Sequence, residues 1–267
     1  MSSVPLPDFP SSSSSRRLKW YRDLSAIFPI PFLAARLRKH VRLTVNFGGS
    51  VLSPDWPDVE SLRLAAESVR ELVRRKHEVL VVVGGGGPAR RYIEAGRELG
   101  GAEALLHELG IGITRLNARL LAMALGELSE PRPPTTFREA VQMMLRGKVP
   151  VMGGTVPGHT TDAVAAMAAK ATRSSLLVYV TDVDGVYTAD PKLDPTARKL
   201  ERIGVEELVK MVGSRVSPGM RTILDPVAVK VLQQLRIRTV VIGKGEIPRI
   251  PLIAEGEKHS GTEILMG

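Results

Sequence analysis

"RLTVNFGGSVL", residues 42–52, sets an apolar run against a pair of glycines. Leu43–Phe47 reads as a buried strand, and Gly48-Gly49-Ser50 follows it directly. Paired glycines let a backbone approach an anion closely and turn its N–H groups toward it. Such phosphate cradles often carry a lysine nearby, but two residues before the glycines this chain has Asn46. If phosphate binds here, the positive charge has to come from elsewhere.

Outward from that stretch, strand patterns alternate with helix patterns. Asp58–Arg75 has helical spacing, with Asp58 as its N-cap. Val79–Val83 ("VLVVV") is uniformly apolar and β-branched, as in a parallel strand covered on both faces. Helical patterns follow over Ala89–Leu99, Ala104–Leu125 and Phe137–Arg146. Strand Val149–Met152, helix Thr161–Ala171 and strand Leu176–Thr181 come next. Helices near Val205–Val212 and Pro226–Leu235 and strands Thr239–Ile242 and Thr262–Leu265 close the chain. This alternation predicts an α/β fold with a mainly parallel sheet and helices on both faces. Every glycine-rich stretch then falls at the C-terminal end of a strand, the edge where open α/β sheets bind ligands.

Four further stretches carry candidate chemistry. "VVVGGGGPARRYI" (81–93) runs from strand through Gly84–Gly87 into a helix, with Arg90 and Arg91 one turn on. A glycine loop feeding a helix N-terminus is an anion site, and a plain turn needs fewer than four glycines. No Gly-Lys-Ser/Thr follows, so it is not a Walker A loop. "VMGGTVPGHTTDAVAA" (151–166) offers the hydroxyls of Thr155, Thr160 and Thr161. Asp162 sits at the start of the next helix, where the dipole favours its charge; simple capping explains it equally well. "YVTDVDGVYTADPKLDP" (179–195) holds Asp182, Asp184 and Asp190. These are either turn residues or magnesium anchors beside phosphate. "MRTILDPVAVKVL" (220–232) places Asp225 near a helix start and Lys230 farther along, where a solvated lysine is the ordinary case.

Composition narrows the class. At 267 residues one domain with two lobes is expected. The chain has no cysteine, which excludes disulfides, thiolate metal sites and cysteine nucleophiles. It has two asparagines, Asn46 and Asn117, and three glutamines, a scarcity that fits a thermophile. Residues 1–40 hold seven Lys/Arg against two Asp, net +5 of the chain's +9, while residues 41–267 hold 30 basic and 26 acidic side chains. The basic excess is therefore off the folded part, which argues against nucleic acid and leaves small anions as the partners. No apolar run approaches the roughly 18 residues of a membrane helix. Residues 1–40 admit three readings: a disordered Ser/Pro-rich extension with a basic amphipathic stretch, an imitation of a twin-arginine signal interrupted by Asp23, Pro29 and Pro31, or a start-site artefact ahead of Val41. Three glycine loops on one edge, threonines, carboxylates and no nucleophile triad point to phosphate chemistry, which needs mainly positioning and charge neutralisation.

The combination "GGSVL … VVVGGGGPARRYI … GIGITRLNA … VPVMGGTVPGHTTDAVAA … VTDVDGVYTADP" resembles the archaeal-type uridylate (UMP) kinases of the amino-acid-kinase superfamily, from about Val41 to Thr262. The resemblance implies a three-layer αβα sandwich over residues 41–267, with the N-terminal lobe mainly on the UMP side and the C-terminal lobe mainly on the ATP side. It implies transfer of the ATP γ-phosphoryl group to UMP with Mg²⁺, in a cytoplasmic homohexamer of pyrimidine biosynthesis, without specifying the metal's protein ligands. Gly49, Ser50, Gly86 and Arg90 would hold ATP phosphates, and Thr181, Tyr187 and Asp190 would enclose the adenine nucleotide. Gly85 and the run Thr155, Val156, Pro157, Gly158, His159, Thr160, Thr161 would hold UMP. Asp162 would organise the transfer centre. Where the family has an aspartate on the UMP ribose this chain has His107, with Glu108 beside it. Mg²⁺, Arg90, the helix N-termini and Lys230 would supply the charge that Asn46 does not; one lost donor to a transition state typically costs about 3 kcal/mol. Isopentenyl phosphate kinase, a rival on the same fold, uses a lysine at the first loop and a histidine at the second, and both are absent. A non-catalytic storage or sensor protein is the other alternative.

Overall fold

The protein is described by a computed structural model over residues 40–213 and 224–266. The expectations for residues 1–39 lie outside the described residues. The chain opens with β1 (Arg42–Phe47), the single turn α1 (Gly49–Leu52), α2 (Val59–Arg74) and β2 (Glu78–Val83). Then come α3 (Gly86–Glu98), the long α4 (Glu103–Leu125), α5 (Phe137–Leu145) and β3 (Val151–Met152). Helix α6 (Thr161–Thr172) leads into β4 (Leu176–Thr181), followed by the short strands β5 (Val186–Tyr187), β6 (Lys199–Leu200) and β7 (Arg202–Gly204). Last are α7 (Val205–Gly213), α8 (Pro226–Leu235), β8 (Arg238–Gly243), the short α9 (Ile250–Ala254) and β9 (Thr262–Leu265).

The main sheet has seven strands in the order β3-β2-β1-β4-β8-β9-β7. β1 pairs in parallel with β2 and β4, β2 with β3, and β4 with β8; β9 runs antiparallel to β8. The chain thus winds outward from β1 to β3 and returns to the other side of β1 as β4. That reversal opens a crevice at the C-terminal ends of β1 and β4, the position where open α/β sheets take ligands.

Alternation along the strands builds two apolar layers. Leu43, Val45 and Phe47 of β1 and Val79, Val81 and Val83 of β2 pack with residues of α2, α4 and α9. Leu80, Val82, Leu177 and Tyr179 pack with residues of α6, α7 and α8. On α6, Ala163, Ala165, Ala166 and Ala168 are fully buried, so small side chains bring that helix close to the sheet. A buried Val or Leu contributes roughly 2 kcal/mol and an exposed ion pair about 0–1 kcal/mol, so these layers and not the surface charges hold the sandwich together. The expected three-layer arrangement is what the chain adopts.

Most expected boundaries lie within a residue or two of the observed ones, and Asp58 caps α2 by accepting from the N–H groups of Glu60 and Ser61. Helix α3 starts three residues before the expected Ala89, its first turn taking in Gly86, at a positive φ of 66°, and Gly87. Strand β3 is two residues long instead of four. The two-stranded β5–β6 sheet and β7 have no counterpart in the sequence reading. Strands of two or three residues carry no alternation to read.

Candidate active site

The crevice is a cleft of about 490 Å³. Glycine loops make part of its wall: Gly48, Gly49 and Ser50 follow β1, and Gly84, Gly85 and Gly86 follow β2. The two loops touch. A Cβ on Gly49 would sit 2.0 Å from the Gly86 backbone nitrogen, so neither loop tolerates a side chain at the contact. Arg90, one turn into α3, lines the cleft too, as do Thr161 and Asp162 at the start of α6. Apolar side chains line it as well: Val186, Leu208, Val212 and Leu224, with Tyr187. A cleft lined by two glycine loops and by apolar side chains matches a molecule that carries both phosphate and a flat apolar group.

Two side chains reach Asp162 from adjacent strands. Asn46, 1% exposed on β1, donates from Nδ2 to Asp162 Oδ1 at 2.7 Å. Tyr179, its lateral neighbour on β4, donates from its hydroxyl to the Asp162 main-chain oxygen at 3.0 Å. Burial pushes the Asp162 carboxyl up to about 6; the Asn46 hydrogen bond pulls the other way, and the nearby Asp225 charge adds to the rise. Desolvation is the largest of the influences on the Asp162 carboxyl. Capping is done by Thr160, whose Oγ1 accepts from the Ala163 N–H and donates to Asp225 Oδ2. Asp225 in turn caps α8 by accepting from Val227.

Helix α4 buttresses the glycine loops from behind. Asn117 donates to the carbonyls of Gly84 (2.9 Å) and Gly85 (3.1 Å). Thr114 accepts from the Gly154 N–H at 2.7 Å, and Arg115 donates to the carbonyls of Gly154 and Thr155. Both asparagines of the chain are thus buried against this site, Asn46 at 1% and Asn117 at 4% exposure. The sequence reading gave roles to none of Thr114, Arg115 and Asn117, although polar residues breaking the apolar pattern of a long helix were visible. In the loop from Thr155 to Thr160, Thr155 Oγ1 and His159 Nδ1 are enclosed and lack hydrogen-bond partners among the described residues.

Of the residues expected at the site, the cleft brings together Gly49, Ser50, Gly85, Gly86, Arg90, Thr161, Asp162, Thr181, Tyr187 and Asp190. Thr155, Val156, Pro157, Gly158, His159 and Thr160 form the loop leading into α6, beside this cleft and not in its wall. His107 is exposed in the first turns of α4, with Glu108 next to it, and neither lines the cleft. Lys230 is exposed on α8 and also lies outside the lining, because position 230 falls on the face of α8 opposite Val229 and Leu232. The lysine that does line it is Lys192, whose Nζ is 2.6 Å from Asp182 Oδ2. Its backbone N–H donates to Asp190 Oδ1 at 2.9 Å, so Asp190 shapes the turn that presents Lys192. Tyr187 donates to Asp184, which also pairs with Lys199.

This sheet order and cleft define a protein of the amino acid kinase family, to which the chain belongs: the family's sequence model matches residues 42–243. Within that family it stands with the uridylate kinases of archaea. It is 45% identical to "Uridylate kinase" of Pyrococcus abyssi (strain GE5 / Orsay) over 226 residues, 84% of this chain and 99% of that one. It is 44% identical to "Uridylate kinase" of Thermococcus kodakarensis, again over 84% of this chain and 99% of the relative. The solved uridylate kinase of Archaeoglobus fulgidus superposes with a TM-score of 0.74 at 40% identity, covering 83% of this chain and 99% of that one.

Proposed function

We propose that the chain is a UMP kinase that transfers the γ-phosphoryl group of ATP to UMP, giving UDP and ADP for pyrimidine nucleotide synthesis. The observation that carries the reading is the junction of two glycine loops with Arg90 and Asp162 in one cleft, in a chain closely similar to uridylate kinases. ATP would lie with its base against Tyr187 and Leu208, and its phosphates over Gly49, Ser50 and Gly86. UMP would rest on Gly85 and the loop from Thr155 to Thr161, where the enclosed Thr155 hydroxyl and His159 nitrogen await partners. The C-terminal lobe would then lie mainly on the ATP side and the N-terminal lobe mainly on the UMP side, with the ATP phosphates reaching across to the loops after β1 and β2.

In the reaction a UMP phosphate oxygen attacks the γ-phosphorus as the bond from that phosphorus to the β–γ bridging oxygen breaks, releasing ADP. The protein's work is placement and charge. Backbone N–H groups of the two loops and the N-termini of α3 and α6 face the phosphates, and Arg90 and Lys192 supply the cationic charge that Asn46 does not. Mg²⁺ fits as a companion of the nucleotide. Among the described residues no three His, Cys, Asp or Glu side chains gather into a metal cage. Mg²⁺ bound to phosphates asks for only one or two protein carboxylates, and Asp182, which lines the cleft, would supply one. When bound, the ion would neutralise phosphate charge.

The active form would be a cytoplasmic homo-oligomer, a hexamer by resemblance to the family. Leu105, Leu109, Leu116 and Met123 make an exposed apolar stripe along α4, with Leu99 88% exposed beside it, and such stripes mark protein interfaces. Among the described residues no helix is long and apolar enough to cross a membrane. Phosphorus NMR of the protein with Mg-ATP and UMP tests the reading. The UDP β-phosphate signal should grow as that of ATP falls, and loss of ATP without UDP would refute it.

A further inference from the structure

Asn46 and Tyr179 occupy matched positions on adjacent parallel strands, so their side chains leave the same face of the sheet side by side. Both end on one residue: Asn46 holds the Asp162 carboxylate and Tyr179 holds the Asp162 main-chain oxygen. The first contact restrains the carboxylate and the second the backbone at the start of α6. We propose that Asn46 and Tyr179 are a pair of positioning residues that lock Asp162 into the wall of the phosphate cleft, so that a neutral amide does by orientation what a lysine at this position would do by charge. The inference rests on the reading of the chain as a UMP kinase for its kinetic consequences, but its structural content does not.

The groups around the carboxylate make the role separable from packing. Asp162 faces the Asn46 amide on β1, the Tyr179 hydroxyl on β4 and the Asp225 carboxylate at the start of α8. The amide is the side-chain donor that favours the ionised form, and the Asp225 main-chain N–H adds to it, while burial and the Asp225 charge oppose it. Removing the donor raises the pH at which Asp162 ionises. Replacing it by a second carboxyl raises that pH further, since two adjacent carboxyls do not readily ionise together. Loss of the Tyr179 hydroxyl loosens the backbone and leaves the carboxylate's donor in place.

The test compares Asn46→Ala, Asn46→Asp and Tyr179→Phe. In Asn46→Ala and Asn46→Asp, kcat should fall by about tenfold to a hundredfold with KM values nearly unchanged. The acid limb of the kcat profile should move up by about one pH unit. Tyr179→Phe should lower kcat without moving that limb. The nearly isosteric Asn46→Asp keeps the reading accessible if the alanine variant folds poorly. The titration of the Asp162 carboxyl carbon, followed by NMR in ligand-free protein and assigned with Asp162→Asn, needs no turnover. An upward shift in both Asn46 variants supports the lock even if UMP proves not to be the substrate. An unchanged Asp162 titration, or an unchanged acid limb in an active enzyme, overturns it.

Discussion

Gly49 and Gly86 meet across the two phosphate loops so closely that a Cβ on Gly49 would lie 2.0 Å from the Gly86 nitrogen. The contact is backbone on backbone, with no flexible side chain to move aside. Gly86 also holds a positive φ of 66°, which a residue bearing a side chain adopts only with strain. Gly49→Ala should therefore separate the loops. Overpacking of this kind typically costs about 1–3 kcal/mol, and turnover should be lost. Thermal unfolding together with an activity assay checks this; an active, fully stable alanine variant would contradict it.

Lys192 and Arg90 are on the cleft wall, while Lys230 is exposed on α8 away from it. Lys192→Ala should raise the KM for ATP by about tenfold, the cost of one charge-assisted contact. It should affect the KM for UMP less. Lys230→Ala should leave kcat/KM within about twofold of the parent. Steady-state kinetics on both variants would show the reverse ranking if Lys230 were the phosphate partner.

The raised ionisation point of Asp162 sets a stability cost with a defined sign. Its carboxyl keeps a proton to about pH 6 in the folded chain, against a reference value of 3.8. Between those values the folded state binds more protons than the unfolded one, so stability falls as pH rises. Above pH 6 the loss is complete, at most about 3 kcal/mol. Asp162→Asn should accordingly be more stable than the parent at pH 7.5 and lose that advantage near pH 4, while its turnover drops at least about tenfold. Denaturant unfolding at the two pH values reads this directly. A variant less stable than the parent at pH 7.5 would contradict the assignment.

Asn117 ties α4 to the carbonyls of Gly84 and Gly85. Asn117→Ala leaves these oxygens without their buried donor, at a cost of about 1–3 kcal/mol. The KM for ATP should rise with the loss of stability, because Gly85 and Gly86 move together. Thermal unfolding and ATP titration of the variant measure both effects, and unchanged values for both would mean the loop holds itself.

The layers of this fold were legible because long apolar strands and amphipathic helices carry their own periodicity. β1, β2 and β4 with α2, α4 and α6 show it plainly. The β5–β6 pair and β7 were not legible, since two or three residues give no period and these strands form only by meeting distant partners. At the site, the glycine loops and Arg90 could be placed from sequence because each follows a strand. Lys230 entered the reading through the family resemblance, as one source of the charge that Asn46 does not supply, and Lys192 was given no role. The Asp190 turn was legible, but that it places Lys192 on the cleft wall is visible only in three dimensions. Asn46 was read as an absence of lysine. Its positive role depends on Asp162, 116 positions later, and no local spacing could reveal that pairing.

The most direct test of the account is the rate of ADP release from Mg-ATP, assayed warm, with UMP, CMP, dUMP and isopentenyl phosphate offered separately at matched concentrations. The account predicts a kcat/KM for UMP well above the other three. Preference for isopentenyl phosphate, or no release with any acceptor, would contradict it.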